Sequence, residues 1–162
     1  MIQIKNAAEL QKMRKACAIS AAALKAGGEA IEPGITTAEI DKIIYDFIVR
    51  HGARPNFLHL YGFPATACIS VNDTVIHGIP NKQQQIRPGD IVSIDTGCKI
   101  DGFNGDNACT YACGKIDLEA QRLLDVTKES LHRGIEMACG GNRVGDIGHA
   151  VQSYVEENGF SV

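Results

Sequence analysis

Apolar residues recur at helical spacing in the first fifty positions, and each stretch begins with a recognisable cap. Asn6 is followed three residues later by Glu9, and Thr36 is followed at the same distance by Glu39. This spacing is the signature of a capping box, so two helices are predicted, the second ending at Gly52. The apolar positions of the first are Leu10, Met13, Cys17, Leu24 and Ile31, and those of the second are Ile40, Ile44, Phe47 and Ile48.

The same design returns after Lys115. Asp117 caps a third predicted helix, the run 140–142 breaks it, and a fourth helix ends before Gly159. A shift of 107 places superposes the following pairs: Cys17 and Leu124, Leu24 and Leu131, Gly34 and Gly141, Ile40 and Ile147, Ile44 and Val151, Phe47 and Tyr154, Ile48 and Val155, Gly52 and Gly159. The matches indicate an internal repeat of helix, helix and sheet. The alternative is that any two amphipathic helix pairs can be aligned in this way.

Between the two helix pairs the pattern changes to that of strands. Strands are predicted at residues 67–71, 74–77, 91–99 and 103–112, with a turn at 87–90. The second copy reaches Val162 where its own strands are expected to begin. We therefore expect the chain to be about two thirds of a larger unit, with an open sheet edge and exposed apolar surface.

A hairpin between the last two strands carries the candidate chemistry. Asp101-Gly102 joins two strand-like runs, which is the strongest short-range hairpin signal. A two-residue turn there places Asp95 opposite Ala108, and Asp106 two positions away on the same face. The opposite face is predicted to be buried and contains Val92, Ile94, Cys98, Ile100, Phe103, Cys109 and Tyr111.

Two carboxylates at this spacing repel each other, so a cation is expected between them. A hard divalent ion, or two ions bridged by carboxylate, suits such oxygen ligands. Gly97 and Ala108, the cross-strand partners, leave space for it. The alternative is an exposed hairpin face with solvated acids, and a single bulge would place Asp95 and Asp106 on opposite faces.

Composition narrows the class of protein. The chain has 162 residues, is 44% hydrophobic and carries a formal net charge of -3, so it can bury a core and has no general attraction to nucleic acid or anionic membranes. No apolar run has membrane-spanning length, and the N-terminus does not resemble a signal peptide. The six cysteines lack the spacing of a disulfide scaffold or zinc site. A soluble cytoplasmic protein with reduced thiols is expected.

Several long motifs resemble type I methionine aminopeptidase of the bacterial kind. They are residues 70–80, which include His77-Gly78-Ile79-Pro80, residues 87–95, residues 101–106 and residues 141–149. The likeness extends over essentially the whole chain. It implies the α+β pita-bread (creatinase/aminopeptidase) fold, in which two pseudo-symmetric helix-helix-sheet halves surround a sheet. The first half is expected at about 1–114, and the second from about 115, incomplete at 162.

The resemblance also implies an activity and its cofactors. The family removes the N-terminal methionine of new polypeptides by hydrolysing the first peptide bond with two divalent metal ions, for which manganese, iron, cobalt or zinc are possible. Asp95 and Asp106 match two of the five protein ligands. The other three, a histidine and two glutamates, are expected beyond Val162, so the isolated chain is expected to bind metal weakly and to be inactive.

Further roles follow from the same likeness. His77 matches the family histidine that hydrogen-bonds near the scissile amide. The methionine pocket is implied at Phe57, Leu60, Phe63 and Cys68, together with His77. Leu60 stands where some members have tyrosine and Phe57 where some have cysteine. His51, His59, His132 and His149 are expected at the surface or at helix ends.

The sequence leaves two other functions open. One is a non-catalytic pita-bread binding module, and the other is a proline-specific aminopeptidase of the same fold. The run 70–80 favours the methionine enzyme. The expected partners are the N-terminal methionine of peptides and nascent proteins, with no nucleic acid and no membrane. A complete chain is expected to be a monomer.

Overall fold

The computed structural model describes residues 3–162 and has the α+β composition that the sequence predicts. The chain forms two compact units, the first ending at Ile116 and the second spanning Asp117–Val162. The elements are α1 (Ala7–Glu29), α2 (Thr37–Arg50), β1 (Arg54–Pro55), a 3-10 helix (Leu60–Gly62), β2 (Ala67–Val71), β3 (Ile91–Ile100), β4 (Phe103–Ala112), α3 (Leu118–Glu136) and α4 (Val144–Glu157). Every helix in this range is too short or too polar to cross a bilayer.

The predicted helix starts are confirmed. The Asn6 side chain accepts from the backbone N–H of Glu9 at 3.0 Å, and the backbone N–H of Asn6 donates to the Glu9 carboxylate at 2.8 Å. Asp117 likewise accepts from the backbone N–H of Ala120 at 2.7 Å. These bonds satisfy backbone donors that the first helical turn leaves free, so local sequence alone determines where the helices begin.

Thr36→Ala tests the second capping box. The Thr36 hydroxyl accepts from the backbone N–H of Glu39 at 3.2 Å and donates to its carboxylate at 2.7 Å. Losing these bonds is expected to lower the free energy of unfolding by about 1 kcal/mol, measured by urea denaturation. Thr36→Ser keeps the hydroxyl and is the control. A serine variant as unstable as the alanine variant would show that the cap contributes little.

β3 is the central strand of a four-stranded antiparallel sheet. β4 pairs with one edge of β3, and β1 and β2 pair with the other. β1 has two residues and was not predicted, since it is too short to show a pattern. The predicted strand at residues 74–77 is wrong. Asn72 and His77 have φ of 53° and 57°, so the chain turns away after β2 instead of extending.

α1 and α2 cover one face of the sheet and form the core with it. Ile40, Ile44 and Ile48 of α2 are fully buried, as predicted for that helix. The buried side of α1 consists mostly of small residues, namely Ala16, Ser20, Ala23, Leu24, Gly27 and Gly28. Small side chains allow the α1 backbone to lie close to the sheet.

The apolar stripe predicted for α1 is therefore partly wrong. Leu24 is buried, but Leu10 is 40% exposed and Cys17 is exposed as well. Hydrophobicity alone does not reveal a contact face built from alanine, serine and glycine. Cys109, predicted on the buried face of the hairpin, is also exposed, because β4 is the outermost strand and α1 does not cover its thiol.

The second unit repeats the helix pair of the first. The bounds of α2 shifted by 107 positions are those of α4, and the last residue of α1 shifted likewise is that of α3. A Cβ on Gly27 would lie 2.7 Å from Ile44, and one on Gly134 would lie 2.8 Å from Val151. Both glycines and both partners are 107 positions apart, so each helix pair packs through an equivalent glycine contact. Leu131, predicted as an apolar position of α3, is 58% exposed.

Candidate metal and substrate site

The turn between β3 and β4 places the two aspartates on one face. Asp101 and Gly102 have φ of 53° and 85°, and positive φ at both central residues matches the right-handed twist of the strands. The register is unbroken, with Asp95 opposite Ala108 and Gly97 opposite Asp106. The predicted register is therefore confirmed, and no bulge separates the carboxylates.

The electrostatics of this face disfavour negative charge. Burial of Asp95 raises the pKa of its carboxyl, and the nearby charge of Asp106 raises it further. His77 acts in the opposite direction and lowers the pKa of Asp95. Asp95 is half-buried and Asp106 is exposed. A cation between the two carboxylates would relieve their repulsion.

The residues present fit a divalent cation, but only as a partial ligand set. Carboxylate oxygens are the ligands that hard divalent ions prefer. Within residues 3–162, no group of three or more His, Cys, Asp and Glu side chains is close enough to hold a metal ion. Asp95 and Asp106 therefore offer two ligands, which suits a weakly held ion.

β2 brings Cys68 directly opposite Asp95. Burial and the charges of Asp95, Asp106 and Asp41 raise the pKa of the Cys68 thiol to about 11. The thiol therefore stays protonated near neutral pH and contributes as a small apolar wall rather than as a nucleophile. Asp41 of α2 aligns the start of β2 by accepting from the backbone N–H groups of Thr66 and Ala67 at 2.9 and 2.8 Å.

His77 lies in the exposed segment after β2, within electrostatic range of Asp95. The backbone N–H and carbonyl groups of the following residue, Gly78, are both hydrogen-bonded to β2. Its N–H donates to the Ser70 hydroxyl at 3.1 Å, and its carbonyl accepts from the N–H of Ile69 at 2.9 Å. The structure thus attaches the residue after His77 to the strand that carries Cys68, within electrostatic range of Asp95.

The four residues predicted for the methionine pocket divide into two groups. Phe57 packs over Gly97, since a Cβ there would lie 3.3 Å from its ring, and Cys68 faces Asp95 across the strands. Leu60 is 49% exposed. Phe63 is half-buried and is held to Leu60 by a backbone bond of 2.9 Å. Cys68 therefore lies opposite Asp95 and Phe57 lies over Gly97, the cross-strand partner of Asp106, whereas the other two lie in or beside the 3-10 helix.

The remaining histidines are at the surface, as predicted. His51, His59, His132 and His149 are all exposed. His51 follows α2, stacks on Phe47 with ring centroids 4.1 Å apart, and contacts the Phe47 carbonyl through Nδ1 at 2.8 Å. This bond engages a carbonyl of the last turn of the helix, which is a helix-end role.

A row of hydroxyl groups beside the aspartates was not predicted from the sequence. Ser70, Ser93 and Thr110 face one another across three strands, in the row next to Cys68 and Asp95. Ser93 and Thr110 share a hydrogen bond of 2.7 Å between their side chains. Serine and threonine are ordinary strand residues on a polar face, and only the pairing of three strands reveals that they align.

Comparisons of this chain with known proteins agree on one family. The profile of metallopeptidase family M24 matches residues 11–162. A methionine aminopeptidase of Clostridium perfringens is 50% identical over 162 residues, which is all of this chain and 65% of that protein. Methionine aminopeptidase 1 of Bacillus subtilis is 44% identical with the same coverage. The chain thus spans about two thirds of the length of these relatives.

Solved structures agree on the fold. The crystal structure of methionine aminopeptidase from Rickettsia prowazekii superposes with a TM-score of 0.97 at 38% identity, covering 100% of this chain and 65% of that one. Aminopeptidase P of Escherichia coli superposes with a TM-score of 0.83 at 23% identity, covering 95% and 34%, which shows the fold alone. The predicted α+β pita-bread architecture is confirmed by these superpositions.

Proposed function

The chain belongs to metallopeptidase family M24, and on this basis we propose that it serves in removing the N-terminal methionine from new polypeptides by metal-dependent hydrolysis of the first peptide bond. The observation that supports this most is the shared face of Asp95 and Asp106 with His77 nearby. An acidic pair is costly on a strand face, and a cation would offset that cost. Relatives at 50% and 44% identity carry the name methionine aminopeptidase.

Each residue has a proposed role. Asp95 and Asp106 hold divalent metal, with two ions in the complete site and manganese, iron, cobalt or zinc as candidates. Such an ion supplies Lewis-acid polarisation of a carbonyl and lowers the pKa of bound water. His77 donates a hydrogen bond to the substrate close to the scissile amide and so orients it.

The methionine side chain is proposed to lie against Phe57, Leu60, Phe63 and Cys68. Aromatic edges and a protonated thiol make favourable contacts with a thioether. Among these residues, Cys68 lies opposite Asp95 and Phe57 lies over Gly97, whereas Leu60 is 49% exposed. The proposed partners are peptides and nascent proteins that begin with methionine. The complete protein is proposed to act on them as a monomer in the cytoplasm.

Two alternatives share this fold. A binding module of the same fold agrees with the lack of a third close ligand within residues 3–162. A proline-specific aminopeptidase is the other, and the superposition on aminopeptidase P at 23% identity supports the shared fold without indicating a substrate. The sequence identity of 50% with a methionine aminopeptidase, against 23% with aminopeptidase P, favours the methionine substrate.

Peptide binding by NMR tests the substrate, and calorimetry tests the metal. We expect Met-Ala-Ser to shift the signals of His77 and Phe57, and Pro-Ala-Ser and N-acetylated Met-Ala-Ser to leave them in place. Mn²⁺ is expected to bind weakly, with a dissociation constant of about 0.1–1 mM for so few ligands. We expect no cleavage of Met-Ala-Ser by this chain.

Opposite outcomes would decide between the alternatives. Equal responses to the methionine and proline peptides would remove the methionine assignment. No response to any peptide, with no Mn²⁺ binding, would favour the binding module. Turnover of about 1 s⁻¹ or faster would show that the residues present form a complete catalytic site, contrary to the proposal.

A further inference from the structure

His77 has a backbone conformation that does not suit its side chain. Its φ of 57° lies in the left-handed region, where a residue with a Cβ is disfavoured. The segment from Asp73 to His77 is exposed, so burial of its side chains does not hold it in place. Something adjacent must therefore stabilise this backbone conformation and keep His77 within electrostatic range of Asp95.

Gly78 attaches this segment to β2. Its N–H donates to the Ser70 hydroxyl at 3.1 Å, and its carbonyl accepts from the N–H of Ile69 at 2.9 Å. A Cβ on Gly78 would lie 2.1 Å from the Ile69 carbonyl oxygen, so this backbone lies directly against β2. Both polar backbone groups of the residue after His77 are thus bonded to two consecutive residues of one strand.

Ser70 connects this attachment to the metal ligands. It is 4% exposed, and its cross-strand partner on β3 is Ser93, two residues before Asp95. Because β2 and β3 are paired without a break from Cys68 to Val71, the distance between Ser70 and Asp95 is held by the sheet. The Ser70 hydroxyl accepts from the Gly78 N–H. It therefore links the position of Gly78, and of His77 before it, to the position of Asp95.

We propose that Ser70 is a positioning residue, whose hydroxyl holds the backbone of Gly78 and so places the His77 imidazole beside the site of the scissile amide. This inference deepens the proposed function, since it assumes that His77 contacts substrate. It assigns to a buried serine a role in orientation, without contact between its hydroxyl and the substrate.

NMR of chain labelled with ¹³C-histidine tests the inference without metal or turnover. In Ser70→Ala, the His77 ring signal is expected to move and the Gly78 amide to exchange with solvent about 5- to 10-fold faster, as for one lost hydrogen bond. Ser70→Thr keeps the hydroxyl and is expected to restore both. Ser93→Ala is the matched control, because its hydroxyl bonds to Thr110 and is expected to leave the His77 signal unchanged.

The outcomes separate this inference from the proposed function. A His77 signal unchanged in Ser70→Ala, or changed equally in Ser93→Ala, would overturn the positioning role. Ser70→Cys keeps a side chain of similar volume with a weaker hydrogen-bond acceptor, so the His77 ring signal is expected to shift less than in Ser70→Ala. This variant keeps the test decisive if the alanine variant does not fold. Addition of Met-Ala-Ser to the unmodified chain tests His77 itself: no response there would remove the proposed substrate contact and leave the Ser70 result standing.

Discussion

Asp95→Asn is expected to weaken Mn²⁺ binding by about tenfold or more, because a carboxylate near a cation contributes several kcal/mol even at an effective dielectric constant of about 20. The same variant is expected to stabilise the metal-free chain at neutral pH. Burial and the neighbouring Asp106 raise the pKa of the Asp95 carboxyl, so the ionised form is unfavourable in the folded state. Calorimetry with Mn²⁺ and urea denaturation measure the two effects.

The gain in stability has a defined dependence on pH. A carboxyl whose pKa is higher in the folded than in the unfolded chain stabilises the fold below its ordinary pKa of 3.8 and loses that contribution as pH rises through the folded value. The asparagine variant and the original chain are therefore expected to differ little in acid. Above the folded pKa the variant is expected to be more stable by about 0.2–1 kcal/mol, as for a relieved like-charge pair.

Asp73→Asn is the control for this experiment, because Asp73 is an exposed acid in the turn after β2. It is expected to change neither Mn²⁺ affinity nor the pH dependence of stability. If Asp95→Asn instead lowered stability at neutral pH, the carboxylate would have a structural partner. Unchanged Mn²⁺ binding would remove Asp95 from the proposed ligands.

Gly105→Ala is expected to give the largest loss of stability. A Cβ at this position would lie 2.3 Å from the Ala16 carbonyl oxygen and 2.7 Å from Cys17 Cα. Both are backbone atoms of α1, so no flexible side chain can move aside. Either α1 must lift from the sheet or β4 must bend, and we expect a loss of about 3 kcal/mol or more in the free energy of unfolding.

α1 has little freedom to shift, because it is bonded to the sheet at this contact and again one turn after it. The Cys98 thiol donates to the Ala16 carbonyl at 3.5 Å, and the Ser20 hydroxyl donates to the Thr96 carbonyl at 3.1 Å. Displacing the helix would break these bonds and open the packing beneath Ala23, which is fully buried. Gly105 also precedes Asp106, so we expect the variant to weaken Mn²⁺ binding as well.

Urea denaturation followed by circular dichroism measures this loss, with Gly148→Ala as the control. Gly148 lies in α4, and a Cβ there meets no atom within 4 Å. Since alanine favours helix over glycine, the control is expected to gain about 0.5–1 kcal/mol. A Gly105→Ala chain as stable as the original would show that α1 does not depend on close contact with the hairpin.

Local rules predicted the hairpin and the helix starts because few residues decide each of them. Asp101-Gly102 accepts positive φ at both positions, and a two-residue turn then determines every cross-strand pair in β3 and β4. Asn6, Thr36 and Asp117 all cap helices as predicted. Once the turn and the strand period are known, the common face of the two aspartates follows.

Features that depend on contacts between distant segments were not predicted correctly. The strand expected at residues 74–77 has a suitable composition, but Gly78 bonds to Ile69 and Ser70 and turns the chain away from an extended path. The stripe of large residues on α1 suggested Cys17 as a core position, yet the small residues on the neighbouring face meet the sheet. Hydrophobicity ranks side chains and does not measure how closely two backbones approach.

By itself, the sequence determined the α+β class, the helix starts, the turn register and the common face of Asp95 and Asp106, because each depends on neighbours along the chain or on a period of two. Only the tertiary structure decided that Cys68 lies opposite Asp95, that Phe57 lies over Gly97, and that the Ser70 hydroxyl bonds to the N–H of Gly78, the residue after His77. These contacts are between strands and loops that are distant in sequence. They depend on how the sheet assembles and on the glycines at which two backbones can approach closely.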